Sequence, residues 1–380
     1  MPIRGEAPVD DLAWIYPDGR AWLGGADWFD AHTHIGANDP DGVKGTPAEI
    51  LAGLDVAGHR RALLFAMHEP AGYPPANDAV LDACAASAGR FVALVRVDPN
   101  APGALAEARR GLDAGARGIK LHPRSDAFGL PHPVVDELVA LADERRAIVL
   151  FHAGRGIPVL GRAAAALARR HPGASVVLAH AGISDLGLLR DEAAALANLF
   201  FDTAWWQVAD VLALMTSVPP ARILYASDMP YGPGRFAALT LLRTARAAGH
   251  APDVVRAMAG GQLERLVSGE APLDLGPAIG TGALHRRQPA LERVVAHASA
   301  AAHLAFRGGD ASESLALARL ACLTAGGEEH GALLAVADEV LARAQEHAAL
   351  VPGDPFGPVP GALVAQLLCG TPEAGVPRRG

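Results

Sequence analysis

The feature that most constrains this fold is an alternation of short apolar segments with longer amphipathic ones, repeated eight times between residues 27 and 269. The apolar segments have four to seven residues and are rich in Val, Ile, Leu and Phe, which is typical of strands buried on both faces. These predicted strands are 28–32, 62–67, 91–97, 118–121, 148–152, 175–180, 199–203 and 223–227. Helices are predicted between and after them at 47–56, 76–86, 103–114, 133–145, 158–170, 185–195, 208–217 and 236–248.

Strict alternation of strands and helices predicts a parallel sheet. Eight units in residues 27–269 fit a closed (β/α)8 TIM-type barrel better than an open doubly wound sheet. An open nucleotide-binding sheet requires a glycine-rich turn after its first strand. That turn here reads His32-Thr33-His34-Ile35-Gly36, and the chain has no G-x-G-x-x-G or P-loop motif. The sequence therefore predicts an α/β barrel.

The segments outside the barrel differ from it in composition. Residues 1–26 are predicted to form an N-terminal extension, with a hairpin at 13–23 that packs over the bottom of the barrel. Residues 270–282 are rich in Gly and Pro and are predicted to be a linker. Residues 283–380 are predicted to be a small α-helical appendage that ends in a loop at 352–361 and a short helix. Its first helical face consists of Leu291, Val294, Val295, Ala298, Ala302 and Ala305.

Composition excludes several classes of function. The chain has 33 Lys and Arg against 41 Asp and Glu, a formal net charge of −8, which argues against nucleic acid or an anionic membrane as a partner. Its 51% hydrophobic residues exclude wholesale disorder. No apolar run predicts a membrane span, and the three cysteines are too widely spaced for a disulfide framework or zinc cluster. The N-terminus lacks the apolar core of a secretory signal, so we expect a cytoplasmic protein.

The clearest functional signal is Asp30-Ala31-His32-Thr33-His34, at the end of the first predicted strand. Side chains two residues apart on a strand share a face, so both imidazoles can enter the barrel mouth, where catalytic groups of such barrels collect. His152, His180 and Asp228 follow the fifth, sixth and eighth predicted strands. Each of these three residues by itself is better explained as a hydrogen-bonded residue at a strand end than as a metal ligand. Four histidines and one aspartate at four strand ends predict a metal site.

These residue types suit one reaction chemistry. Imidazole nitrogens and one carboxylate favour a divalent, zinc-like ion and leave a position open for water. Such an ion lowers the pKa of its water toward ~7, and a neighbouring carboxylate can accept the proton. Asp228 is the candidate for that role, whereas His180 is expected near the substrate oxygen as an electrophile or general acid. Asp30 shares the strand parity of His32 and is expected to be a hydrogen-bond partner one layer deeper.

The same residues resemble the amidohydrolase superfamily, and more narrowly the amidohydrolase-related branch that includes aminocarboxymuconate-semialdehyde decarboxylase. The segments 118–123 (GIKLHP) and 260–266 (GGQLERL) are similar to further family signatures, although the second usually has Asn where this chain has Gln262. The resemblance covers residues 29–266 and leaves the helical tail outside. It implies one divalent ion, Zn²⁺ as the first choice, held by His32, His34, His152 and Asp228, with His180 as the catalytic histidine.

Lys120 leaves the number of ions open. It ends the fourth predicted strand, where two-metal members of the superfamily place a carboxylated lysine, so a second ion shared with His180 is chemically allowed. The Lys-Leu-His-Pro form resembles one-metal relatives, in which this lysine contacts substrate, and an ordinary ion pair is the third alternative. We expect one ion, with His122 structural rather than ligating.

Several residues on neighbouring loops are candidate substrate contacts. Arg155 could hold a substrate carboxylate bidentately, or be a solvated loop residue. Trp205 and Trp206 follow the seventh strand and could form a wall for an apolar or aromatic substrate, or pack beneath a neighbouring helix. Tyr231 lies on the loop after the eighth strand. Two further arginines are candidates for the role of Arg155, namely Arg96 and Arg124.

Three functions are compatible with these features, all with a small-molecule substrate except the last. The first is a metal-dependent hydrolase, in which metal-activated water attacks the carbonyl of an amide, ester or lactone and Asp228 shuttles the proton. The second is a metal-dependent non-oxidative decarboxylase of a carboxylated aromatic or unsaturated acid, with Arg155 or Lys120 facing the carboxylate. The third is a catalytically silent barrel that acts as a binding or assembly module. The intact ligand set argues against the third. The tail could mediate contacts between copies of the chain, cap the barrel mouth or extend the core, and we expect the first of these.

Overall fold

In the described part of the chain, nine short parallel strands form the centre of the molecule, and they occupy eight barrel positions. They are β1 (Phe29–Ile35), β2 (Arg61–Ala66), β3 (Phe91–Ala93), β4 (Val95–Arg96), β5 (Gly118–Leu121), β6 (Ile148–Phe151), β7 (Ser175–Leu178), β8 (Leu199–Asp202) and β9 (Ile223–Leu224). β3 and β4 are two halves of one barrel strand, interrupted at Leu94, whose amide donates to the Leu64 carbonyl at 2.9 Å. The computed structural model describes residues 22–40, 42–154, 160–183, 185–283, 288–324, 330–350 and 359–377.

Hydrogen bonds between the first and last strands close the barrel. Consecutive strands pair in parallel from β1 to β3 and from β4 to β9. The Ala31 amide then donates to the Tyr225 carbonyl at 2.9 Å, and the His34 amide donates to the Met229 carbonyl at 2.8 Å. The predicted (β/α)8 barrel is therefore confirmed, and its closure brings the end of β9 beside β1.

Helices cover the outside of the barrel. They are α1 (Pro47–Ala57), α2 (Pro74–Ala86), α3 (Ala104–Asp113), α4 (Pro133–Arg145), α5 (Gly161–Arg170), α6 (Leu186–Ala195), α7 (Val208–Ser217) and α8 (Gly234–Ala248), followed by α9 (Pro252–Arg256) and α10 (Gln262–Val267). α1 shows why such segments become helices: Thr46 accepts from the Glu49 amide at 3.2 Å, and Glu49 Oε2 accepts from the Thr46 amide at 2.9 Å. This reciprocal cap satisfies amides that the first turn leaves unpaired.

Two predicted strands end two or three residues earlier than expected. The predicted strand 223–227 ends at Leu224, because the next amides bond elsewhere: Tyr225 to the Met258 carbonyl, Ala226 to Thr203 Oγ1 and Ser227 to Asp30 Oδ1. The predicted strand 175–180 ends at Leu178, because the chain turns at His180, which has a left-handed φ of 58°. Both turns deliver a polar side chain to the barrel mouth.

The barrel interior is apolar below its mouth. Bulky side chains from alternate strands fill it, including Phe29, Leu63, Phe65, Ile148, Leu150 and Phe200. A second apolar layer lies between the strands and the surrounding helices. Because the interior is packed rather than hollow, polar side chains that enter the barrel collect at the carboxyl ends of the strands.

The helical appendage packs beside α7 and α8. Residues 270–280 contain no helix or strand, and the tail helices are α11 (Pro289–Phe306), α12 (Ser312–Thr324), α13 (Gly331–Leu350) and α14 (Val359–Gly370). The predicted apolar face of α11 is buried. α14 packs against α11 and α13 on one side and against α7 and α8 on the other. Residues 352–358 of the predicted loop 352–361 lie outside the described residues, and α14 occupies the rest from Val359. The predicted hairpin 13–23 lies outside them as well, except for Trp22 and Leu23.

None of the described helices combines the length and the apolar character needed to span a membrane.

Candidate metal centre

Three side chains from the first and last strands of the barrel converge at its carboxyl end. His32 and His34 lie two residues apart on β1, and Asp228 follows β9. Asp228 Oδ1 lies 2.9 Å from His34 Nε2 and 3.3 Å from His32 Nε2. One donor atom of each residue lies within 4.8 Å of the other two, a spacing that suits a shared metal ion.

The backbone around these residues is fixed by its own hydrogen bonds. The Asp228 amide donates to the His32 carbonyl at 3.0 Å. Asp30 Oδ1 accepts from the amides of His32 at 3.0 Å and Ser227 at 2.9 Å, so it ties β1 to the turn after β9. Asp228 itself has a left-handed φ of 65°, a strained conformation for a residue other than glycine and one that is found at functional sites.

A second carboxylate orients the His32 ring. Asp202, the last residue of β8, is fully buried, and its Oδ2 lies 2.7 Å from His32 Nδ1. Because a carboxylate accepts, His32 Nδ1 carries the hydrogen and Nε2 presents its lone pair toward Asp228. Asp202 Oδ1 accepts from the amides of His180 at 2.8 Å and Ala204 at 3.0 Å. Asp202 therefore connects the metal-site histidine to the strand ends on the other side of the mouth.

Two further histidines form a hydrogen-bonded pair. His180 Nδ1 lies 2.7 Å from the Ala204 carbonyl, which only accepts, so this nitrogen carries the hydrogen. His180 Nε2 then accepts from His152 Nδ1 at 2.9 Å, which leaves His152 Nε2 with its lone pair and no hydrogen-bond partner. The His122 ring stacks on His152 with centroids 3.9 Å apart. These two hydrogen bonds therefore fix a single tautomer of His180 and of His152.

The position of His152 differs from that of the three grouped residues. The His180 ring lies between them, 5.1 Å from the His32 centroid and 4.6 Å from the His152 centroid. The structure thus groups His32, His34 and Asp228 and places His152 beside His180. The sharing of one ion by all four residues stays a prediction.

The donor atoms fit a divalent cation. At the candidate site, His32 Nε2 and His152 Nε2 are buried without a hydrogen-bond partner among the described residues, and His34 Nε2 faces Asp228. Burial is the main cause that lowers the pKa of each of these histidines well below its usual value, so each is neutral and able to bind a metal. Burial also raises the pKa of Asp228 to about 6, and a nearby cation would lower it again. An ion would offset the cost of leaving these nitrogens unpaired.

Comparison with known proteins identifies the family. A family model with the description amidohydrolase matches residues 29–267, which is more than half of the chain. The chain belongs to the amidohydrolase family. The resemblance to the amidohydrolase-related branch that the sequence shows is therefore confirmed. None of the curated proteins matches the sequence of this amidohydrolase.

Solved structures with a similar fold support the barrel. An amidohydrolase II is 19% identical, with a TM-score of 0.51, and the match covers 63% of this chain and 99% of that one. An uncharacterized TIM-barrel protein from Bordetella bronchiseptica is 16% identical, with a TM-score of 0.53 over 64% and 98%. The 5-carboxyvanillate decarboxylase from Sphingomonas paucimobilis is 16% identical, with a TM-score of 0.50 over 64% and 99%. At these identities the likeness shows the fold alone.

Lys120 lies close enough to the candidate site for its charge to lower the pKa values of His32 and His34. It is the third residue of β5 and is fully buried; its Nζ has no hydrogen-bond partner among the described residues and lies 4.8 Å from the centre of the Phe65 ring. Burial lowers the pKa of Lys120 to about 7. Among the described residues no carboxylate lies within ion-pair distance of Nζ, so the ion-pair alternative for Lys120 is not formed.

Arg96, one of the three arginine candidates, is not a free cation at the mouth. Arg96 is buried, and its guanidinium lies 3.2 Å from Asp126 Oδ1 and over the Tyr73 ring, so its charge is already balanced. Arg124 is exposed. Arg155 lies outside the described residues.

The aromatic candidates occupy different places. The Trp205 ring lies 6.3 Å from the His180 ring, edge to face, and its Nε1 donates to Asp210 at 2.7 Å. Trp206 instead packs against the tail, 5.2 Å from the Phe306 ring. Tyr231 is partly exposed beside the metal centre, with its ring 5.1 Å from His34. Of the three aromatic candidates, Trp205 and Tyr231 therefore lie next to the site histidines.

Sequence reasoning missed Asp202, the carboxylate that bonds the His32 imidazole. The signal was present, because Asp202 is the one charged residue in the apolar segment Leu199-Phe200-Phe201-Asp202-Thr203. Asp30, expected as a hydrogen-bond partner one layer deeper, bonds the backbone amides of His32 and Ser227.

Proposed function

We propose that this amidohydrolase is a metal-dependent hydrolase of an amide, ester or lactone. His32, His34, Asp228 and His152 would hold one divalent ion, Zn²⁺ by preference, because these are nitrogen and oxygen donors with unpaired buried atoms. Such an ion polarises a substrate carbonyl and acidifies a water molecule at neutral pH. The remaining steps belong to side chains of the chain itself.

The observation that carries the proposal is the position of Asp228. Its Oδ1 lies against the His32 and His34 nitrogens, and its Oδ2 lies 4.0 Å from His180 Nδ1. One oxygen of the Asp228 carboxylate therefore faces His32 and His34, and the other oxygen faces His180. Asp228 can accept a proton from the attacking water and deliver it to the leaving group of the substrate.

His180 is the second proposed catalytic residue. Its Nδ1 hydrogen is held by the Ala204 carbonyl, and its Nε2 accepts from His152 Nδ1. A second proton, taken up at Nε2 in place of the bond from His152, would let this imidazole donate a hydrogen bond to the oxygen on which negative charge develops. Trp205 and Tyr231 border the site and would contact an apolar part of the substrate.

The proposal is tested with Asp228→Asn. We expect the variant to fold, to retain part of its bound metal and to lose turnover by about 10³-fold or more, because the amide cannot accept the proton. The assay measures acid release from a panel of amides, esters and lactones, together with metal content by mass spectrometry. Near wild-type turnover in the variant would remove Asp228 from the mechanism. No stoichiometric metal and no activity with added Zn²⁺, Mn²⁺ or Co²⁺ would refute the hydrolase.

A specific observation favours a decarboxylase as the second candidate. Lys120 is a buried amine with no acceptor near the metal centre, and a substrate carboxylate could pair with it. Two of the similar folds are decarboxylases of aromatic acids, for 2,6-dihydroxybenzoate and 5-carboxyvanillate. CO₂ release measured separately from acid release distinguishes the two reactions, and dominant CO₂ release from aromatic acids would replace the hydrolase by the decarboxylase.

A further inference from the structure

The tail helix α14 carries one polar side chain into the protein interior. Residues 359–369 are all buried and otherwise apolar or small, and Gln366 is fully buried among them. An unpaired amide at that depth would cost free energy, but this one is paired at both ends. Its Oε1 accepts from Ser299 Oγ of α11 at 2.8 Å, and its Nε2 donates to the Trp206 carbonyl at 3.0 Å.

Trp206 belongs to the segment 203–207 that joins β8 to α7, which we call the β8–α7 loop. The same loop defines the surroundings of His180. The Ala204 carbonyl accepts from His180 Nδ1 at 2.7 Å, and the Trp205 ring lies 6.3 Å from the imidazole. The carbonyl that holds Gln366 is thus two residues from the carbonyl that fixes the tautomer of His180.

The surrounding contacts leave the tail little freedom to move relative to this loop. The Trp206 ring lies 4.7 Å from His303 and 5.2 Å from Phe306, both on α11. At the end of α14, a Cβ on Gly370 would lie 2.8 Å from Val208 Cγ1 of α7, so the two helices touch closely. Just beyond, the buried Arg243 of α8 donates to Thr371 Oγ1 at 3.0 Å.

We propose that Gln366 is a positioning residue for His180, which makes the helical appendage part of the construction of the active site. Gln366 acts through the Trp206 carbonyl. Its hydrogen bond fixes the position of the β8–α7 loop, and the Ala204 carbonyl of that loop fixes the orientation and tautomer of His180. The inference rests on the proposed function where it concerns catalysis, because His180 receives its role there. Small displacements of a catalytic group lower turnover steeply.

The test compares two buried glutamines in the full-length, metal-loaded protein. Gln366→Met removes both hydrogen bonds of the amide and keeps a side chain of similar length. Gln262→Met is the matched control: Gln262 is also fully buried, donates to the Ala221 carbonyl at 2.7 Å and accepts from the Leu273 amide at 2.9 Å, but it lies at the opposite end of the barrel. Each variant therefore loses one hydrogen bond donated by a buried amide and one accepted by it.

Three readouts separate positioning from general destabilisation. The first readout is the NMR signal of the His180 nitrogens in protein labelled with ¹⁵N-histidine, which is assigned by its loss in His180→Asn. We expect Gln366→Met to shift the Nδ1 signal and Gln262→Met to leave it unchanged. Hydrogen exchange of the amides of the β8–α7 loop should accelerate about tenfold or more in Gln366→Met alone. With an active substrate, kcat should fall about tenfold in Gln366→Met, with KM changed less than about twofold.

Each outcome decides the inference. Identical His180 signals and loop exchange in the two methionine variants would overturn it. Should Gln366→Met not fold, Ser299→Ala takes its place, because it removes only the hydroxyl that orients the amide, and unchanged His180 signals there would overturn the inference too. If no substrate is hydrolysed by the wild type, the proposed function fails, whereas the two spectroscopic readouts still decide the role of Gln366.

Discussion

Substitution of Asp202 by Asn tests how this amidohydrolase prepares a ligand for its metal. Asp202 Oδ1 accepts from two backbone amides, at 2.8 Å and 3.0 Å, and the amide oxygen of Asn would keep both bonds. The new NH₂ group must then face His32 Nδ1, 2.7 Å from the present Oδ2. Because that group donates, His32 is forced to move its hydrogen from Nδ1 to Nε2, the nitrogen that faces Asp228.

The size of the effect follows from burial. Asp202 and His32 are both fully buried, so water cannot replace the lost partner or restore the original tautomer. Loss of a carboxylate partner of a metal-binding histidine typically weakens metal binding 10- to 100-fold, or about 1.4–2.7 kcal/mol. We expect Asp202→Asn near the upper end, because the substitution reverses the tautomer rather than only removing a bond.

The assay is the Zn²⁺ dissociation constant, measured at neutral pH by competition with a chromophoric chelator. Asp30→Asn is the matched control, because Asp30 is equally buried and lies two residues from His32. Asp30 bonds the His32 and Ser227 amides and the Ser227 hydroxyl, which are donors that an Asn oxygen also satisfies. The dissociation constant of this control should change less than about threefold, or ~0.7 kcal/mol. Equal Zn²⁺ affinities in the two variants would refute the role assigned to Asp202.

Two further predictions concern the fold. Gly118→Ala should destabilise the protein by about 2 kcal/mol or more in urea unfolding, because its Cβ would lie 2.3 Å from the Ile148 carbonyl oxygen; a loss below ~0.5 kcal/mol would contradict the packing of β5 on β6. The second prediction concerns His250, whose Nε2 donates to the Met215 carbonyl at 2.9 Å. Burial lowers the pKa of this histidine below its ordinary value of 6.5. As the pH falls below 6.5, the unfolded chain therefore takes up the His250 proton before the folded protein does. The free energy of unfolding should therefore decrease below that pH by up to ~1.4 kcal/mol per pH unit. In His250→Gln, which keeps a hydrogen-bond donor, the free energy of unfolding should depend less steeply on pH. Identical pH dependence in the variant and the wild type would exclude His250 as a cause.

Much of the fold was predictable because its elements depend on local pattern. β5 occupies the predicted residues 118–121, and α4 and α7 begin and end at the predicted residues. Apolar strands and capped helices of this kind are specified within a few residues of sequence. The pattern failed at 225–227 and at His180, where amides bond to groups far along the chain or the backbone turns left-handed. No short window of sequence contains those partners.

The candidate site was predictable in part for the same reason. Side-chain parity on one strand places His32 and His34 together, and the structure adds Asp228 within 4.8 Å of both. The contact between His152 and His180 and the role of Asp202 were not foreseen, since both depend on rotamers and hydrogen bonds across the mouth. The shared ion remains a prediction for the metal-binding assays.

By itself the sequence determined the order of the strands and helices, the barrel, and the end of the barrel at which the reactive side chains lie. Each of these depends on periodicity and on residue types that act over short distances along the chain. Only the tertiary structure decided that Asp202 faces His32, 170 residues away, and that Gln366 of the tail bonds to the Trp206 carbonyl. Such pairs form only when barrel closure and helix docking bring distant segments together, because a hydrogen bond requires its two atoms within about 3 Å.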